Sequence, residues 1–411
     1  MLLRLPCALL AAAALEAAAP PAAAAAATAA GACATDLDCN LSGVCNATSG
    51  ACACFAPWGG ATCGELRFTP LRAPALTNGY PGATTPNETT WGGNAVRDDN
   101  GIFHLFVAEM VNGCSLAQWQ TNSRCAHAVS SDPEGPYVRV DVAVDVWCHL
   151  PQVSLVRGGG FGGRDLWALW HAGTGQQAAG AVNCSAGPPT ALAAAPPPSA
   201  SVVAAAAAPP SSVLHVANSP FGPWEPVLTP LPDCWTPSQA QLRNGTWLII
   251  CGANSLYAAP NVTGPWRHVV DIAIGGTPGT FEDPFLYEDA RGNLHALFHT
   301  YTMKCETPAC DPVAIAGHSF SGDGGLTWRS SGVQPYFNTA NVTDGSAVQM
   351  STRERPKMIF DSRTGEPTHL VTAVCPTPHC PPQAAIQCKV QGLGPHEGYW
   401  DHTLVVPLDY S

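Results

Sequence analysis

Two acidic motifs contain the carboxylates in this chain that are best suited to proton transfer. The segment EDPF places Asp283 directly before Pro284, and the segment RERPKM places Glu354 two residues before Pro356. Each motif opens an apolar run, where a carboxylate is costly unless it is solvated, paired or used in chemistry. When two carboxylates approach each other, partial burial and mutual repulsion raise one pKa towards neutral pH. The motifs therefore predict an acid and its partner, provided that the fold brings them together.

Both motifs lie in a unit that the chain repeats five times. Each unit has an apolar run, a turn rich in glycine, asparagine or aspartate, and a second apolar run. Such runs, rich in β-branched and aromatic residues, are typical of β-hairpins. Four of the hairpins are followed by a polar turn, a glycine and an aromatic residue: Tyr137, Trp224, Trp266 and Trp328. This repetition predicts an all-β fold, a five-bladed β-propeller with four strands in each blade and an aromatic residue between neighbouring blades.

Prolines indicate where the acidic motifs lie in such a fold. Pro151, Pro237, Pro284 and Pro356 occur at or near the start of four of the five first runs. Because proline has no N–H to donate to a sheet, it is confined to edge strands and strand starts. The innermost strand of a propeller blade is such an edge. First strands converge on the channel, so we expect the two acidic motifs to approach each other at one channel mouth.

A small cysteine-rich module precedes the repeats, over residues 31–66. Its six cysteines follow the pattern C-x5-C-x5-C-x6-C-x-C-x8-C: Cys33, Cys39, Cys45, Cys52, Cys54 and Cys63. So few residues cannot bury a sufficient core, so disulfides are expected to replace one, and the spacing alone leaves their pairing open. A zinc site is the alternative, but no histidine accompanies the cysteines.

The ending of this module, CACFAPWGGATC, resembles the EGF-like signature. The resemblance implies three disulfides: Cys33–Cys45, Cys39–Cys52 and Cys54–Cys63. It also implies a spacer or a unit that contacts another protein. The preceding residues, TAAGAC, lack the pattern of the calcium-binding subtype, so we expect no calcium there.

Composition indicates the compartment and argues against one class of partner. The net charge of −12 argues against a nucleic-acid partner. Residues 1–30 have one early arginine, an apolar run and small-residue cleavage options, which predicts a signal peptide; a low-complexity tail is the alternative. Eighteen cysteines and seven N-x-S/T sequons agree with a secreted, extracellular glycoprotein. No later run is long and apolar enough to span a membrane.

The propeller is expected to occupy residues 67–411. Residues 173–212 interrupt its period and are rich in alanine, proline and serine. We predict that they are a disordered insertion between the second and third strands of the second blade.

These features resemble the five-bladed propeller glycosidases of the arabinanase, xylosidase and invertase type. The resemblance covers about residues 67–411 and rests on the blade number, the hairpin pattern and the order of the two acidic motifs on adjacent blades. It implies that Glu354 is the general acid and that Asp283 tunes that acid or stabilises the transition state. A poly- or oligosaccharide substrate follows, without a cofactor or a metal, because glycoside hydrolysis needs a protonated carboxyl and a carboxylate across the sugar.

The chain departs from that family in its third carboxylate. The family has an aspartate before proline or alanine at another blade entrance, where this chain has Gly93–Asn94 and His149–Leu150. Glu109, at the end of a second strand, and His149 are candidate substitutes, since histidine can act as a base near neutral pH. Five residues near the entrances are candidate sugar ligands, including a tryptophan that could stack on a sugar ring: Trp91, Asn94, Gln152, His299 and Arg355.

Each assignment has a structural alternative. Asp283 could bond the backbone of a neighbouring blade, Glu354 could pair with an adjacent arginine, and Trp91 could pack between blades. In a regular strand, Glu282 would point away from Asp283. The missing carboxylate also leaves a second function open, a catalytically inactive propeller that binds glycans or proteins at a cell surface or in the matrix. Asp323, in SGDGGLTW, resembles the turn of sialidase-type repeats and is expected to be structural.

The propeller contains eleven further cysteines. Two pairs bracket short loops and are expected to bond locally: Cys114–Cys125 and Cys305–Cys310. Three others cluster near a histidine, where disulfides are expected in preference to a zinc site: Cys375, Cys380 and Cys388, near His379.

Overall fold

The structure, a computed structural model, is built almost entirely from β-strands. It describes residues 32–72, 78–80, 89–114, 116–174, 183–184, 212–227, 231, 234, 236–252, 254–272, 274, 281–305, 310–376 and 401–411. The predicted signal peptide, most of residues 173–212 and the cysteines near His379 that follow residue 376 lie outside these ranges. Short helical turns within the ranges are 3-10 turns over Asp36–Cys39, Leu116–Gln118 and Phe161–Gly163, and one α-helical turn, α1, over Trp119–Asn122.

The cysteine-rich module consists of two hairpins. β1 (Gly43–Asn46) pairs with β2 (Ala51–Cys54), and β3 (Trp58–Gly59) pairs with β4 (Glu65–Leu66). Its three disulfides confirm the pairing that the EGF-like resemblance implied: Cys33–Cys45, Cys39–Cys52 and Cys54–Cys63. Disulfide sulfurs therefore fill the centre of a module that is too small for an apolar core.

Five antiparallel sheets of four strands form the propeller, which confirms the predicted fold class and number of blades. In chain order the blades are β5 (Thr89–Arg97), β6 (Phe103–Met110), β7 (Ser123–Ser130) and β8 (Val138–Val144); β9 (His149–Val156), β10 (Leu166–Ala172), β11 (Ser212–Ala217) and β12 (Glu225–Val227); β13 (Ser238–Gln241), β14 (Trp247–Cys251), β15 (Ser255–Ala259) and β16 (Arg267–Asp271); β17 (Phe281–Glu288), β18 (Leu294–Cys305), β19 (Cys310–Ser321) and β20 (Arg329–Ser330); and β21 (Thr339–Asn341), β22 (Ala347–Phe360), β23 (Pro367–Pro376) and β24 (His402–Pro407). Strands β5, β9, β13, β17 and β22 line the central channel.

The two ends of the propeller domain join to close the ring. The segment before the first blade pairs with β24 of the fifth blade, where Tyr80 and Thr403 exchange two backbone hydrogen bonds of 3.0 Å. Phe68 forms a further antiparallel bridge to Leu408. These isolated bridges connect the segment before the first blade to the last strand of the fifth blade.

Aromatic residues pack between blades as the repeat predicted. The ring of Trp224 in the second blade lies 5.5 Å from that of Phe106 in the first, between centroids. Trp266 in the third blade lies 6.1 Å from Trp170 in the second. Tyr137 in the first blade is buried in a cluster with apolar residues of the fifth. Each of these aromatics therefore joins its own blade to the preceding one.

The turn at Asp323 is structural, as expected. Its carboxylate accepts hydrogen bonds from the N–H of Thr327 (2.9 Å) and from the hydroxyl of Ser321 (2.8 Å). The indole of Trp328 donates to the carbonyl of Gly325 (2.9 Å) and packs on the cluster shared by the third and fourth blades. These bonds fix the connection between β19 and β20.

The EGF-like module is docked on the fourth blade. Trp58 stacks on His318 with ring centroids 4.5 Å apart. The guanidinium of Arg291 lies 4.2 Å from the ring centroid of Phe55, and the N–H of Leu66 donates to Pro335 (2.8 Å). Since aromatic, cationic and backbone contacts all cross this boundary, the module is part of the folded body and not a detached spacer.

The local disulfide predicted between Cys114 and Cys125 is wrong. Cys114 bonds Cys184, and Cys125 on β7 bonds Cys148, the residue before β9. The first bond ties the loop after β6 to residues within the Ala/Pro-rich segment, and the second ties two adjacent blades. A cysteine in the middle of a strand faces a neighbouring blade, so loop length along the chain does not choose its partner. The side chains of Cys305 and Cys310 lie outside the described residues, although their backbones pair.

Candidate functional site

Each of the five inner strands has a residue with a positive φ, either within the strand or just before it. Positive φ angles occur at Gly93 (122°), Leu150 (58°), Thr236 (42°), Asp283 (54°) and Arg355 (56°). These five residues line one small cavity on the propeller axis, which we call the axial pit. Residues other than glycine adopt a positive φ at a cost, and such strain is concentrated at functional sites. The repeated bend turns four side chains from four blades towards one point.

Asp283 and Glu354 approach each other through His299. Asp283, on β17, is 3% exposed, and Glu354, on β22, is 2% exposed. The imidazole of His299, on β18, lies between them: Nδ1 is 3.5 Å from Asp283 Oδ2, and Nε2 is 3.8 Å from Glu354 Oε2. The fold thus joins the two predicted carboxylates in one buried cluster. Asp283 lines the axial pit itself, whereas Glu354 lies beside it.

Glu282 belongs to the same cluster, which corrects the expectation that it points away from Asp283. Its Oε2 lies 3.4 Å from His299 Nε2, while its side chain remains 55% exposed. The pairing of β17 with β18 shifts register between Glu282 and Phe285, because Asp283 has a positive φ. A bulge of this kind breaks the alternation of side chains that a regular strand would have. The contact with His299 also holds the pKa of Glu282 below its usual value.

Two cations complete the cluster. Arg355 Nη1 lies 3.1 Å from Asp283 Oδ1, so the predicted sugar ligand is held by the predicted modulator. Lys357 Nζ donates to the carbonyl of Pro284 (3.0 Å) and lies 5.5 Å from the ring centroid of Phe285. Burial lowers the pKa of Lys357 to about 7, against the opposing charge of Asp283. The charged residues that line the axial pit, Asp283, Arg355 and Lys357, therefore all belong to its fourth and fifth blades.

The third carboxylate is missing from the axial positions. The first three blades present Gly93, Leu150 and Thr236 to the pit. A Cβ at Gly93 would lie 2.1 Å from the carbonyl oxygen of Phe106, so that position admits only glycine. The pit thus has an uncharged wall opposite its charged wall.

Glu109, a proposed substitute, is engaged elsewhere. Its carboxylate accepts from Arg124 Nε (2.8 Å), from Arg139 Nε (2.9 Å) and from the hydroxyl of Tyr80 (3.1 Å). These partners belong to the outer strands of the first blade and to the segment that closes the ring. The contacts favour a structural role, in which Glu109 stabilises the ring closure.

His149, the other proposed substitute, is 1% exposed and stacks on Trp119 with centroids 4.9 Å apart. Burial, together with the positive charge of Arg355, holds its pKa well below the usual value. Its imidazole is therefore neutral near pH 7 and has the proton-accepting form that a base needs. A base role stays a prediction, because the ring is covered by Trp119.

The remaining predicted ligands hold the blades together. Asn94 donates to the carbonyl of Val153 (2.9 Å) and accepts from its N–H (2.7 Å). Gln152 and Gln239 each donate to the other's backbone carbonyl (2.9 and 3.0 Å). Trp91 is 1% exposed within an apolar cluster. Their burial and bonding favour the structural alternative, and a role in sugar binding stays a prediction for all three.

A larger cavity, of about 380 Å³, lies at the opposite end of the channel. It is lined by the later residues of the inner strands, among them Leu155, Gln241 and Phe360. Neither Asp283, Glu354 nor His299 lines this cavity. The larger of these two cavities therefore lacks the predicted catalytic residues. The acidic cluster identifies the smaller one, the axial pit, as the candidate site.

Metal binding has one candidate location in the described part of the chain apart from disulfide cysteines. Donor atoms of Glu282, Asp283 and His299 all lie within 4.8 Å of one another. Asp283 already has a cation, Arg355, on its other oxygen. A metal ion at this group would have to share Asp283 with the guanidinium of Arg355.

Sequence reasoning missed Lys357 and Thr236. Lys357 follows the proline of RERPKM and could have been found from its place in that motif. Thr236 precedes Pro237 just as Asp283 precedes Pro284, so the proline register signalled its position, although threonine gave no sign of chemistry.

Comparison with known proteins gives low similarities. A scan against protein-family models found no match, and neither did a sequence comparison with curated proteins. Among the solved structures that the chain is similar to is an endo-arabinase from Bacteroides thetaiotaomicron, with a TM-score of 0.42 and 13% identity over 80% of this chain and 98% of that one. Two others are a xylan β-1,4-xylosidase from Bacillus halodurans (0.45, 13%, 83% and 55%) and an exo-β-1,3-galactanase from Phanerochaete chrysosporium (0.46, 13%, 84% and 65%). Because these scores are low, we base neither the fold nor the function on them.

No helix in the described part of the chain has the length and apolar character needed to cross a membrane.

Proposed function

We propose that this protein is a glycoside hydrolase-like propeller that acts on poly- or oligosaccharides, with Glu354 as the proton donor and Asp283 as its modulator. One observation carries the proposal: the two buried carboxylates meet through His299 beside a pit on the propeller axis. Glycosidic bond cleavage needs a carboxyl group that keeps a proton beside a carboxylate that does not. Three carboxylates around one imidazole favour the retention of a proton within the cluster.

The proposal includes an extracellular setting. Six disulfides lie in the described residues, and such bonds persist in oxidising compartments. With the sequons and the leader-like residues 1–30, they support secretion as a glycoprotein. The EGF-like module would then present its exposed face to a protein partner at a cell surface or in the matrix.

A second candidate function is a catalytically inactive propeller that binds glycans. The axial positions of the first three blades favour it, since Gly93, Leu150 and Thr236 offer no carboxylate to act as a base or nucleophile.

The test is a panel of plant-type and algal-type polysaccharides and oligosaccharides, on which the release of reducing ends is measured. Glu354→Gln is compared with the parent, and Glu225→Gln, on an exposed outer strand, is the matched control. The proposal requires hydrolysis by the parent and the control, and a loss of about a hundredfold or more in Glu354→Gln. Equal rates for the parent and Glu354→Gln would exclude Glu354 as the acid.

The two candidate functions are separated by a parent that binds a glycan without cleaving it. Leu150 already has a positive φ, which aspartate tolerates well. Under the second function, Leu150→Asp places a carboxylate opposite Asp283 and should create measurable hydrolysis of the bound glycan.

A further inference from the structure

A further cavity, of about 180 Å³, lies where the EGF-like module meets the fifth blade, and we call it the junction cavity. Glu65 and Leu66 line it from the module, and Phe337, Thr339 and Arg353 line it from the fifth blade and the segment before that blade. Its lining shares no residue with the axial pit. The junction cavity is therefore separate from the candidate active site.

Arg353 brings an unpaired cation to the wall of the junction cavity. The side chain is 1% exposed, and among the described residues no carboxylate pairs with its guanidinium. Nε donates to the hydroxyl of Thr372 (3.3 Å), and Nη1 donates to the carbonyls of Phe337 (3.2 Å) and Thr339 (3.4 Å). Nη2 has no hydrogen-bond partner. Because a buried charge is costly unless it is paired, this wall favours an anion.

Two aromatic rings hold the guanidinium in place. Its central carbon lies 5.2 Å from the ring centroid of Phe68 and 4.9 Å from that of Tyr336. Burial lowers the pKa of Arg353 to about 10, so the side chain remains a cation at neutral pH. Tyr336 is 2% exposed, and its hydroxyl also has no hydrogen-bond partner in the described residues. Burial raises the pKa of Tyr336, so the hydroxyl keeps its proton and can donate it to an anion.

The rim of the junction cavity has the groups that a sugar ring needs. The ring of Phe337 is 57% exposed and offers a face on which the C–H groups of a sugar can stack. Thr69, Thr339 and Asn341 are exposed at the same cavity and can bond sugar hydroxyls. A volume of about 180 Å³ suits a single sugar ring and is smaller than the cavities that hold larger ligands.

We propose that the junction cavity binds an acidic sugar residue with one negative charge, a uronate or a sulfate ester, which pairs with Arg353 and stacks on Phe337. The donors are Nη2 of Arg353 and the hydroxyl of Tyr336. Both atoms are covered, so the anion reaches them through a small shift of the exposed lining. This inference goes beyond the proposed function, because binding here does not require Glu354 to cleave any bond.

The charges around the cavity favour a single negative charge on the ligand. One anion neutralises the guanidinium of Arg353, whereas a dianion such as phosphate would leave a buried negative charge without a partner. Glu65 is the other charged residue of the described lining. Its Oε1 lies towards Gly60, where an added Cβ would be 2.9 Å from it, and not in an ion pair with Arg353.

The first experiment is calorimetric titration with galacturonate, glucuronate and galactose 6-sulfate, with galactose as the neutral control. All proteins carry Thr343→Ala, because Asn341 belongs to the sequon Asn-Val-Thr and a glycan there would cover the rim. At least one acidic sugar should bind with a Kd of about 1 mM, and galactose should bind about tenfold more weakly or less, for want of the charged contact. The two kinds of acidic sugar distinguish a carboxylate from a sulfate ester.

Three results of this titration would overturn the proposal. One is the absence of binding by any acidic sugar up to about 20 mM. Another is an affinity for galactose equal to that for the acidic sugars. The third is an affinity for acetate equal to that for galacturonate, which would show an anion site that does not recognise a sugar.

The second experiment locates the bound sugar with variants. Tyr336→Phe removes only a hydroxyl and should weaken the binding of the acidic sugar about tenfold, and Arg353→Met should abolish it. Two controls should bind as the parent does: Arg329→Met, which removes an exposed arginine on β20, and Lys357→Met, which removes a cation of the axial pit. Unchanged affinity in Tyr336→Phe would overturn the proposal, even if Arg353→Met fails to fold. A loss of binding in Lys357→Met alone would place the sugar in the axial pit and would also overturn it. A parent that binds an acidic sugar in this way and cleaves no glycan refutes the proposed activity alone.

Discussion

Lys357 is the buried cation whose replacement gives the sharpest test of the electrostatics at the axial pit. Its single described hydrogen bond is to the carbonyl of Pro284 at 3.0 Å, and burial lowers its pKa from 10.5 to about 7. In the unfolded chain Lys357 binds its proton up to about pH 10.5, whereas the folded chain releases it above about pH 7. Between these values the unfolded state holds more protons, so stability rises with pH.

The magnitude follows from the shift in pKa. At 1.36 kcal/mol per pKa unit, burial of Lys357 costs about 4 kcal/mol at pH 7 and about 2 kcal/mol at pH 9. Lys357→Met keeps the volume and removes this cost, but leaves the Pro284 carbonyl without its donor, at about 1–3 kcal/mol. The variant should therefore be about 1–3 kcal/mol more stable than the parent at pH 7. This advantage should shrink by about 2 kcal/mol at pH 9.

The assay is urea unfolding of the parent and Lys357→Met at pH 7 and pH 9. Arg363→Met, a surface substitution, serves as the control for loss of a positive charge. A variant less stable than the parent at pH 7, or an advantage that does not change with pH, would refute the reasoning. The first result would mean that Lys357 is stabilised by its partners more than it is penalised by burial.

Three further predictions concern the rest of the molecule. Burial lowers the pKa of three histidines, to about 4 for His127, about 3 for His171 and about 4 for His215. Because the unfolded chain then binds more protons below about pH 6.5, the free energy of unfolding should fall by about 1.4 kcal/mol per pH unit for each histidine as the pH drops towards 4. A constant urea midpoint between pH 7 and 4.5 would contradict this. Trp58→Ala should lower the free energy of unfolding by about 3–5 kcal/mol and make the EGF-like module sensitive to limited proteolysis. The surface substitution Leu326→Ala is the control and should do neither. Equal digestion rates for the two variants would show that other contacts hold the module. Asn40 is 6% exposed, and its side chain donates a hydrogen bond to the carbonyl of Thr62 (3.0 Å), whereas Asn46 is exposed. After secretion from a eukaryotic host, peptide mass spectrometry should therefore find a glycan on Asn46 and none on Asn40. A glycan on Asn40 would count against the docked module.

The blades could be predicted because their signals are local. Two apolar runs joined by a turn predict a hairpin. The inner edge of each blade is indicated by a proline at or near the strand start, since an edge strand does not need every N–H for pairing: Pro151, Pro237, Pro284 and Pro356. The same prolines placed Asp283 and Glu354 at one channel mouth. In the cysteine-rich module, spacing left the pairing open, and the EGF-like signature supplied it.

Contacts distant in the chain could not be predicted in this way. The pairing of Tyr80 with Thr403 joins the two ends of the domain. The sequence around each residue contains no motif that predicts this pairing. The Cys114–Cys184 disulfide crosses between a loop and an insertion for the same reason. Hydrophobic patterning indicates which face of a strand is buried, but it does not indicate which distant residue packs against that face. Contacts that close the ring are therefore known only from the folded structure.

The cluster around His299 escaped prediction for a different reason. A regular alternation would send Glu282 and Asp283 to opposite sides, and the bulge that reverses this depends on a positive φ at Asp283. Aspartate adopts such a φ more readily than most residues, but its presence alone does not predict one. The acidic motifs thus predicted that Asp283 and Glu354 lie close together. The bulge at Asp283 adds Glu282 to the same cluster, which the motifs did not predict.

The most direct measurement of the central claim is a crystal structure of Glu354→Gln with an oligosaccharide that the hydrolysis or binding panel selects. The account predicts a sugar ring over the axial pit, with one face on Leu150 and a glycosidic oxygen within hydrogen-bond distance of residue 354. A sugar bound only in the cavity at the opposite end of the channel, or only against the EGF-like module, would contradict it.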